Sequence, residues 1–339
     1  MALPTSLLFN RFAQITIGAN TGYQTGASQS VSQQGGVQIT YIGGMTGLDL
    51  WFQIKRSLKP KEPSTCDLKI WNLADSTRQA INAFTNTGFQ AGGAPPGSNT
   101  GGLSTTIVPV KIVAGYVGNI STVFLGNMRS AQTVQDNTDL VTELNTGDSD
   151  ESTILARSSR SFPPGANAYN VALSIIQNDM GCGIGNIASV QAILAASPLF
   201  KSGAIVKGNS MEHLSDIATA CGLEVSVQGG ATQWVTAGRP LGGQAYLLSS
   251  GDTATSSVNT GLTGSPTVDT KGVLHAECLL LPGLAPGQPI QIDAKFVQGW
   301  FRILSLELKG DTKGTDWGFS IEAGRMQIGP NQPWLGVAP

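Results

Sequence analysis

Apolar and polar residues alternate along the first part of the chain, which is the pattern of β-strands with one buried face. In LDLWFQIKRSL the apolar positions include Phe52 and Ile54, and in CDLKIWNL they include Leu68 and Ile70. A helix with Asp75 as its N-cap is predicted after these two strands. Three further strands are predicted at 107–117, 121–130 and 138–146.

In the middle of the chain the period changes from two residues to 3.6, which indicates helices. ANAYNVALSIIQNDMG carries a narrow apolar stripe, formed by Ala168, Val171, Ala172, Ile175 and Ile176. A second helix is predicted to begin after Asn209, because Glu212 completes a capping box, and to end before Gly222. LEVSVQGGATQWVT predicts a hairpin whose turn, Gly229-Gly230, supplies the positive φ angles.

The last part of the chain returns to strands and repeats a pattern from the first part. VKIVAGYV at 110–117 and IQIDAKFV at 290–297 each carry an alanine at the fifth position and end in an aromatic residue and valine. Each is followed by a strand with a phenylalanine. A third strand then begins with Thr-Asp and ends in glycine, at 138–147 and at 315–324. We interpret this as one β module present twice.

The patterns together predict a mainly β fold with an α+β insert: two β-barrel domains with a small α/β domain between them. The predicted domains are 1–154, 155–238 and 239–339. Two segments rich in Gly, Ser, Gln and Pro, at 20–36 and 86–106, are predicted to be long exposed loops that contact a partner.

The composition restricts the classes of function. Charged residues are 12% of the 339 residues and the net charge is −2, so the chain lacks the basic stripe of a dedicated nucleic-acid binder. No apolar run reaches the length of a membrane helix, and the first residues do not form the pattern of a secretory signal. Four widely separated cysteines favour buried free thiols in a reducing cytoplasm over disulfides or a metal site.

Candidate catalytic and binding residues each have a simpler structural interpretation. His275 and Glu277 lie two residues apart on a predicted strand, so they share a face without obligatory contact. GCGIG at 181–185 follows a helix rather than a strand, so it lacks the context of a phosphate-binding loop. The acidic stretch 136–152 lacks the ligand spacing of an EF-hand, and a surface turn is favoured. We therefore assign no catalytic residue, no cofactor and no metal, and expect a protein that is not an enzyme.

Large apolar residues on strands are candidates for subunit contacts, because aromatic side chains bury much area at low entropic cost. WFRILSLEL has apolar residues on both faces, which suits a strand that also packs against a neighbour. Core packing is the open alternative for the tryptophans. The candidate subunit-interface residues are Trp51, Trp71, Trp300, Leu304, Leu306 and Trp317.

A duplicated module also has a consequence for assembly. Three chains with two modules each would place six similar modules around one axis, with true threefold and approximate sixfold symmetry. Such a ring could bind a sixfold tube on one side and a threefold object on the other.

Three segments of the sequence carry a resemblance to a known family. LWFQIKRSLKPKEPSTCDLKIWNLADSTRQAI, TGLTGSPTVDTKGVLHAECLLLPGLAPGQPIQI and KGDTKGTDWGFSIEA resemble the baseplate hub proteins of phage tails. That family (the late control protein D family) includes the hub of contractile tails and is related to the base of type VI secretion spikes. The resemblance spans most of the chain.

The resemblance implies that the two β-barrel domains are tail-tube-like. It also implies a structural homotrimer at the virion tail baseplate, assembled in the cytoplasm of the host bacterium. Its implied partners are the tail tube protein, the spike protein, the tape-measure protein and other baseplate proteins. DNA would pass through the lumen without stable nucleic-acid binding. The sequence contains no β-helix repeat or lysozyme-like segment, so the puncturing tip is expected on a separate protein.

Two other classes of function stay open at this stage. A tail-associated cell-wall or polysaccharide hydrolase would need two carboxylates facing each other across a cleft. A monomeric carbohydrate-binding β module would differ from the hub in not forming trimers.

Overall fold

The computed structural model describes residues 10–18, 30–31, 36–43, 47–60, 62–88, 106–149, 151–242, 245–253 and 258–326. Most of the two predicted loops, 20–36 and 86–106, lies outside the described residues. In the described part of the chain no helix is both long and apolar enough to cross a membrane.

The strands of the first part form where the alternation predicts them. Phe52, Ile54, Leu68 and Ile70 are all buried, so the predicted apolar face of this region is confirmed. The elements are β1 Arg11–Ile17, β2 Ser30–Val31, β3 Val37–Ile42, β4 Leu50–Ser57, β5 Thr65–Trp71, α1 Asp75–Gly88, β6 Thr106–Ile107, β7 Pro109–Tyr116, β8 Asn119–Asp136 and β9 Asp139–Gly147.

The middle part contains the predicted helices and hairpin. The Asn209 side chain accepts the backbone N–H of Glu212 at 3.0 Å, and Gly222 has φ +68°, so both predicted ends of the second helix are confirmed. The elements are a π-helical turn Glu151–Leu155, β10 Arg157–Phe162, α2 Ala168–Ser174, a π-helix Ile175–Met180, a 3₁₀-helix Ile187–Val190, α3 Gln191–Ala196, β11 Ala204–Asn209, α4 Ser210–Ala220, β12 Leu223–Gln228 and β13 Ala231–Thr236.

The last part consists of strands alone among the described residues. They are β14 Tyr246–Ser249, β15 Leu262–Val268, β16 Val273–Leu279, β17 Pro289–Asp293, β18 Gln298–Asp311 and β19 Trp317–Arg325.

One large sheet contains strands from both ends of the chain. Its order is β15-β16-β19-β18-β4-β5-β9-β8-β7-β1-β3, with β17 on β18 and β14 on β17. These strands share one hydrophobic core, whereas residues between Ala168 and Trp234 form a second core of their own. The mainly β fold with an α+β insert is confirmed. The predicted domain boundaries stay a prediction.

The large sheet contains the same five-stranded unit twice. We call β4, β5, β7, β8 and β9 the first unit, and β15 to β19 the second unit. In both units the first strand pairs with the second, the second with the fifth, the fifth with the fourth and the fourth with the third. All of these pairs are antiparallel. The repeat that the sequence indicates in three strands therefore extends over five.

A β-bulge lies at the same place in the fourth strand of each unit. In β8 the pairing with β9 shifts between Met128 and Ser130, seven residues before the strand ends at Asp136. In β18 the pairing with β19 shifts at Leu304, seven residues before the end at Asp311. Bulges bend a strand and are not generated by random pairing of meanders. Their matched positions support duplication of the unit.

The bulge in β18 changes which side chains face the core. Before it, Phe301 and Ile303 point inward, and after it Leu306 and Leu308 do. A strict alternation would place Leu306 on the face opposite Phe301, but the extra residue at the bulge reverses the pattern. Leu306 is 2% exposed and belongs to the core of the single chain, and its role in a subunit contact stays a proposal.

Candidate functional site

The two units are joined by a strand pair between distant parts of the sequence. β18 of the second unit pairs antiparallel with β4 of the first, from Ser305 opposite Ser57 to Asp311 opposite Trp51. The fourth strand of one unit therefore binds the first strand of the other. The result is an uninterrupted run of eight strands, β15-β16-β19-β18-β4-β5-β9-β8.

One face of this eight-stranded run is polar, and we call it the polar face. Its side chains are neighbours across strands because they occupy directly paired positions, such as Lys55 and Glu307 in the junction. The residues on it include Gln53, Lys55, Asp67, Lys69, Gln132, Glu143, Asn145, His275, Glu277, Ser305, Glu307, Lys309, Ser320 and Glu322.

Hydrogen bonds between strands hold many of these side chains in place. The ammonium group of Lys69 lies 2.8 Å from the carboxylate of Glu143. That hydrogen bond lowers the pKa of Glu143 below its ordinary value. Ser305 donates to Glu322 at 2.7 Å, and the amide of Gln53 donates to Glu307 in the junction. The polar face is therefore an ordered surface rather than a set of independent side chains.

The polar face carries charges of both signs, with a small excess of acidic groups. Among the described strands of the run, its lysines are Lys55, Lys69 and Lys309, and the guanidinium of Arg129 at the β8 bulge donates to Asn145 on it at 3.4 Å. Its carboxylates include Asp67, Glu143, Glu277, Glu307 and Glu322. Such a surface attracts a polyanion weakly at most.

A hollow of about 610 Å³ lies on the polar face, above the junction. It is lined from both units, with Lys55 and Thr65 on one side and Glu277, Ser320 and Glu322 on the other. The sheet is therefore concave on its polar side where the units meet.

The opposite face of the junction is apolar and tightly packed. The rings of Phe52 and Trp317 meet edge to face, with centroids 5.7 Å apart. The Arg11 guanidinium lies 5.5 Å from the centre of the Trp317 ring, and the indole N–H donates to the carbonyl oxygen of Gly115 at 3.3 Å. Trp317 is 4% exposed, so its side chain packs in the core of the single chain, and its role in a subunit contact stays a proposal.

The remaining candidate interface residues are half-buried in the single chain. Trp51 and Trp71 lie on the polar side of β4 and β5, where the Lys69 ammonium is 6.0 Å from the Trp51 ring. Trp300 lies in the first part of β18, and Leu304 is the bulge residue. The structure does not bring these four side chains into one cluster, and their role in a subunit contact stays a proposal.

The candidate catalytic residues occupy structural or solvent-facing positions. His275 and Glu277 point from β16 into the open hollow, and the imidazole of His275 lies 3.8 Å from the carboxylate of Asp269. The GCGIG segment begins where the π-helix Ile175–Met180 ends, at Gly181, and pairs with the β12–β13 hairpin through Gly183. Among the described residues no three His, Cys, Asp or Glu side chains are grouped as metal ligands.

One structural contact, made by Asp148, could not be predicted from the sequence. Asp148 follows β9, inside the stretch interpreted as a surface turn, yet it is 2% exposed. Its carboxylate accepts the backbone N–H groups of Gly229 and Gly230, the latter at 3.0 Å, and the hydroxyl of Ser149 at 2.6 Å. Burial raises the pKa of this carboxyl to about 6. Asp148 thus anchors the turn of the insert hairpin to the large sheet.

A second set of contacts fixes the same hairpin to the sheet. The Gln228 amide donates to the carbonyl oxygen of Ser57 at 2.8 Å and accepts from Arg56 at 3.2 Å. The guanidinium of Arg302 makes two hydrogen bonds to Glu224, at 2.8 and 3.2 Å. The insert is therefore held against both units, beside their junction.

Comparison with known proteins identifies the fold. No protein-family model and no curated protein matches the chain. The 43 kDa tail protein of prophage MuSo2 from Shewanella oneidensis superposes with a TM-score of 0.53 and 11% identity, over 92% of this chain and 98% of that one. The tail protein from Neisseria meningitidis MC58 gives a TM-score of 0.52 and 8% identity, over 92% and 96%. The chain therefore has the fold of phage tail proteins, as the sequence resemblance implied.

Proposed function

We propose that this chain is the structural baseplate hub of a phage tail. In this proposal it forms a homotrimer with pseudo-sixfold symmetry that joins the hexameric tail tube to the trimeric spike. The observation that carries the proposal is the duplicated five-stranded unit, whose two copies are joined head to tail in one sheet. The likeness in fold to two phage tail proteins supports the proposal.

The head-to-tail junction is what makes a ring a natural assembly. The two units contact each other through different edges, since β18 of one meets β4 of the other. A contact between different surfaces generates a ring when its rotation closes, and we propose that it closes here. One chain would supply two of six positions, so three chains complete the ring.

The polar face is the surface that we assign to the lumen. Its mixed charge with an acidic excess suits a channel through which DNA slides, because phosphates would find few unpaired lysines to bind. The tail tube protein would stack on the sixfold side and the spike protein on the threefold side. The tape-measure protein and other baseplate proteins complete the proposed partners, at the virion tail baseplate after assembly in the host cytoplasm.

The proposed role is mechanical, and no bond is made or broken. Hydrogen bonds engage several carboxylates of the polar face, Asp67 with Asn145 at 2.6 Å among them. We expect no cleared band in zymography of the purified chain on peptidoglycan or on host polysaccharide. A band would favour the hydrolase instead.

The assembly itself is tested by locating the subunit in the particle. We expect electron microscopy of the assembled tail to show three copies, with the two units of each copy related by a rotation near 60° about the tail axis. Mass measurement of the purified chain is expected to give a trimer. A particle in which the two units of one chain occupy unrelated positions would contradict the hub.

The charge of the polar face gives a further prediction. Replacing Glu277 and Glu322 together by lysine is expected to create salt-sensitive retention of linear duplex DNA, because the change removes two carboxylates from this face and adds two lysines. The measurement is an electrophoretic mobility shift at two salt concentrations. The matched control places the same charge change on α4 of the insert, at Glu212 and Asp216, and is expected to retain less DNA. Equal retention by the control would show that total charge, not the polar face, is responsible.

A further inference from the structure

We propose that neighbouring subunits join through two specific strand edges, in a register copied from the junction inside the chain. The edge of β8 beyond its bulge, residues 130–136, would pair antiparallel with the outer edge of β15 in the next copy. This inference rests on the proposed ring and names the contact that would close it.

The first observation is the unequal use of two equivalent edges. Along the edge of β18 opposite β19, the first part pairs with β17 and the part beyond the bulge pairs with β4. Along the edge of β8 opposite β9, the first part pairs with β7 in the same way. Beyond the bulge, no described strand pairs with β8 on that edge. Among the described strands, the place that β4 fills in the second unit thus has no counterpart in the first.

The second observation concerns the strand that would fill it. β15 is the first strand of the second unit, as β4 is of the first. β4 pairs on both sides, with β5 and β18, whereas β15 pairs only with β16 among the described strands. The two unfilled edges are therefore the same two kinds of edge that the internal junction joins.

Exposed apolar side chains lie on both of these edges. Val268 of β15 is paired with the fully buried Leu274, on the core side of the sheet, yet it is 44% exposed. Its counterpart in the first unit, Ile54, is 1% exposed because β18 covers it. On β8, Val134 is 38% exposed. A strand added at each edge would bury these side chains, which favours pairing.

The internal junction fixes the expected register. Counting from the bulge, Thr133 and Val134 of β8 correspond to Leu308 and Lys309 of β18, which pair with Ile54 and Gln53. The strand pairings also identify the equivalent positions on β15. Ile54 pairs with Cys66 and Cys66 with Thr146, whereas Val268 pairs with Leu274 and Leu274 with Ala323. Val268 therefore corresponds to Ile54, and Thr267 to Gln53. Thr133 is therefore expected opposite the partner's Val268, and Val134 opposite the partner's Thr267.

The edge of β15 also contains a feature that limits other pairings. Its register with β16 shifts between Thr263 and Thr267, and Pro266 within that bulge has no N–H to donate. A bulge and a proline on an edge discourage indiscriminate strand addition. The proposed contact would therefore be short, centred on Thr267 and Val268, and weaker than the regular internal junction.

Two single-cysteine chains test the contact. Val134→Cys and Thr267→Cys chains are prepared separately, oxidised alone and oxidised as a mixture, beside the unsubstituted chain as a control for the native thiols. A head-to-tail contact predicts an interchain disulfide only in the mixture, because each cysteine needs the other one opposite it. A chain carrying both substitutions is expected to give a closed three-chain species on a non-reducing gel.

Two matched controls test the register. Gln53→Cys with Lys309→Cys is the equivalent pair inside one chain and is expected to form an intrachain disulfide under the same conditions. Ser130→Cys replaces Val134→Cys in the mixture, and it lies four residues, or about 13 Å, along the strand. Cross-linking with Ser130→Cys equal to that with Val134→Cys would overturn the register.

The outcomes separate this inference from the proposed function. A trimer that shows no disulfide in the mixture, while the intrachain control oxidises, overturns the edge pairing and leaves the hub standing. A disulfide in the mixture, together with open chains and no closed three-chain species from the double variant, supports the edge pairing and contradicts the trimeric hub. Disulfides formed by either single variant alone would show a contact between identical edges and overturn the inference.

Discussion

Replacing Phe52 with alanine is expected to lower the free energy of unfolding by about 3–5 kcal/mol, the range for removing a buried phenylalanine. Phe52 is fully buried on β4, and its ring packs against Trp317 of the second unit. Across the junction it faces Gly310, where an added Cβ would lie against the Phe52 ring. The ring therefore fills the space between the two units, and its loss leaves a cavity that neither unit can close.

The measurement is urea unfolding followed by circular dichroism. Phe296→Ala is the matched control, because Phe296 is 77% exposed, and it is expected to change stability by no more than about 0.5 kcal/mol. Phe52→Leu keeps part of the volume and is expected to cost less than Phe52→Ala. Similar losses from Phe52→Ala and Phe296→Ala would show that the junction is not a principal part of the core.

The elements that could be predicted from the sequence are those whose determinants are local. The inward face of β4 and β5 depends on simple alternation, and the ends of α4 depend on Asn209 and Gly222. The turn at Gly229 and Gly230 has φ angles of +60° and +80°, as a tight hairpin requires. In each case the residues that decide the structure lie within a few positions of one another.

Predictions that depended on a distant partner were less successful. The bulge at Leu304 exists because β18 pairs with β19 in one register before it and another after it, and nothing in WFRILSLEL itself marks that change. For Trp317 the sequence leaves core packing and a subunit contact open. Its burial depends on Phe52 and Arg11, which lie more than 260 residues earlier in the chain.

In the candidate site, too, features with local determinants could be predicted and those that depend on distant segments could not. The repeat was visible because β7 and β17 preserve a short pattern, and it predicted that two similar modules exist. It did not predict how they are joined, because the β18–β4 pair connects segments about 250 residues apart. The polar face could be identified only once that pair was known, since its charged side chains come from both units.

The internal junction also clarifies why a duplicated chain suits a hub. A covalently linked pair of units forms one of its two kinds of contact within the chain, where no translational entropy is lost on association. Only the contact between chains then depends on concentration. In the proposed ring, the regular β18–β4 pair and the interrupted edge of β15 would fit this difference, because the first never has to open and the second has to stay free until assembly.

Replacing Asp148 with alanine is expected to destabilise the folded chain by about 3 kcal/mol and to loosen the insert. The substitution leaves the N–H groups of Gly229 and Gly230 without their acceptor. It also removes the negative charge that opposes the effect of burial on Arg56, whose pKa burial lowers. Hydrogen exchange is expected to rise in β12 and β13 more than in β4 and β5. A uniform rise would show that Asp148 supports the whole sheet instead.

The same residue should make stability depend on pH, in the direction opposite to that of a salt-bridged carboxylate. Burial raises the pKa of Asp148 from 3.8 to about 6, so the folded chain binds this proton more tightly than the unfolded chain does. The resulting stabilisation is complete below about pH 4 and is lost as the pH rises through about 6. Between these limits the difference amounts to about 3 kcal/mol.

Asp148→Asn keeps the shape of the side chain and removes the titration, so it isolates this effect from the other carboxylates. Groups such as Glu143, whose pKa Lys69 lowers, titrate in the opposite sense in both proteins and cancel when the two are compared. The stability of the native chain relative to Asp148→Asn is therefore expected to fall from about pH 4 to pH 7, as measured by urea unfolding at several pH values. If the two stability curves run parallel across that interval, folding does not raise the pKa of the Asp148 carboxyl.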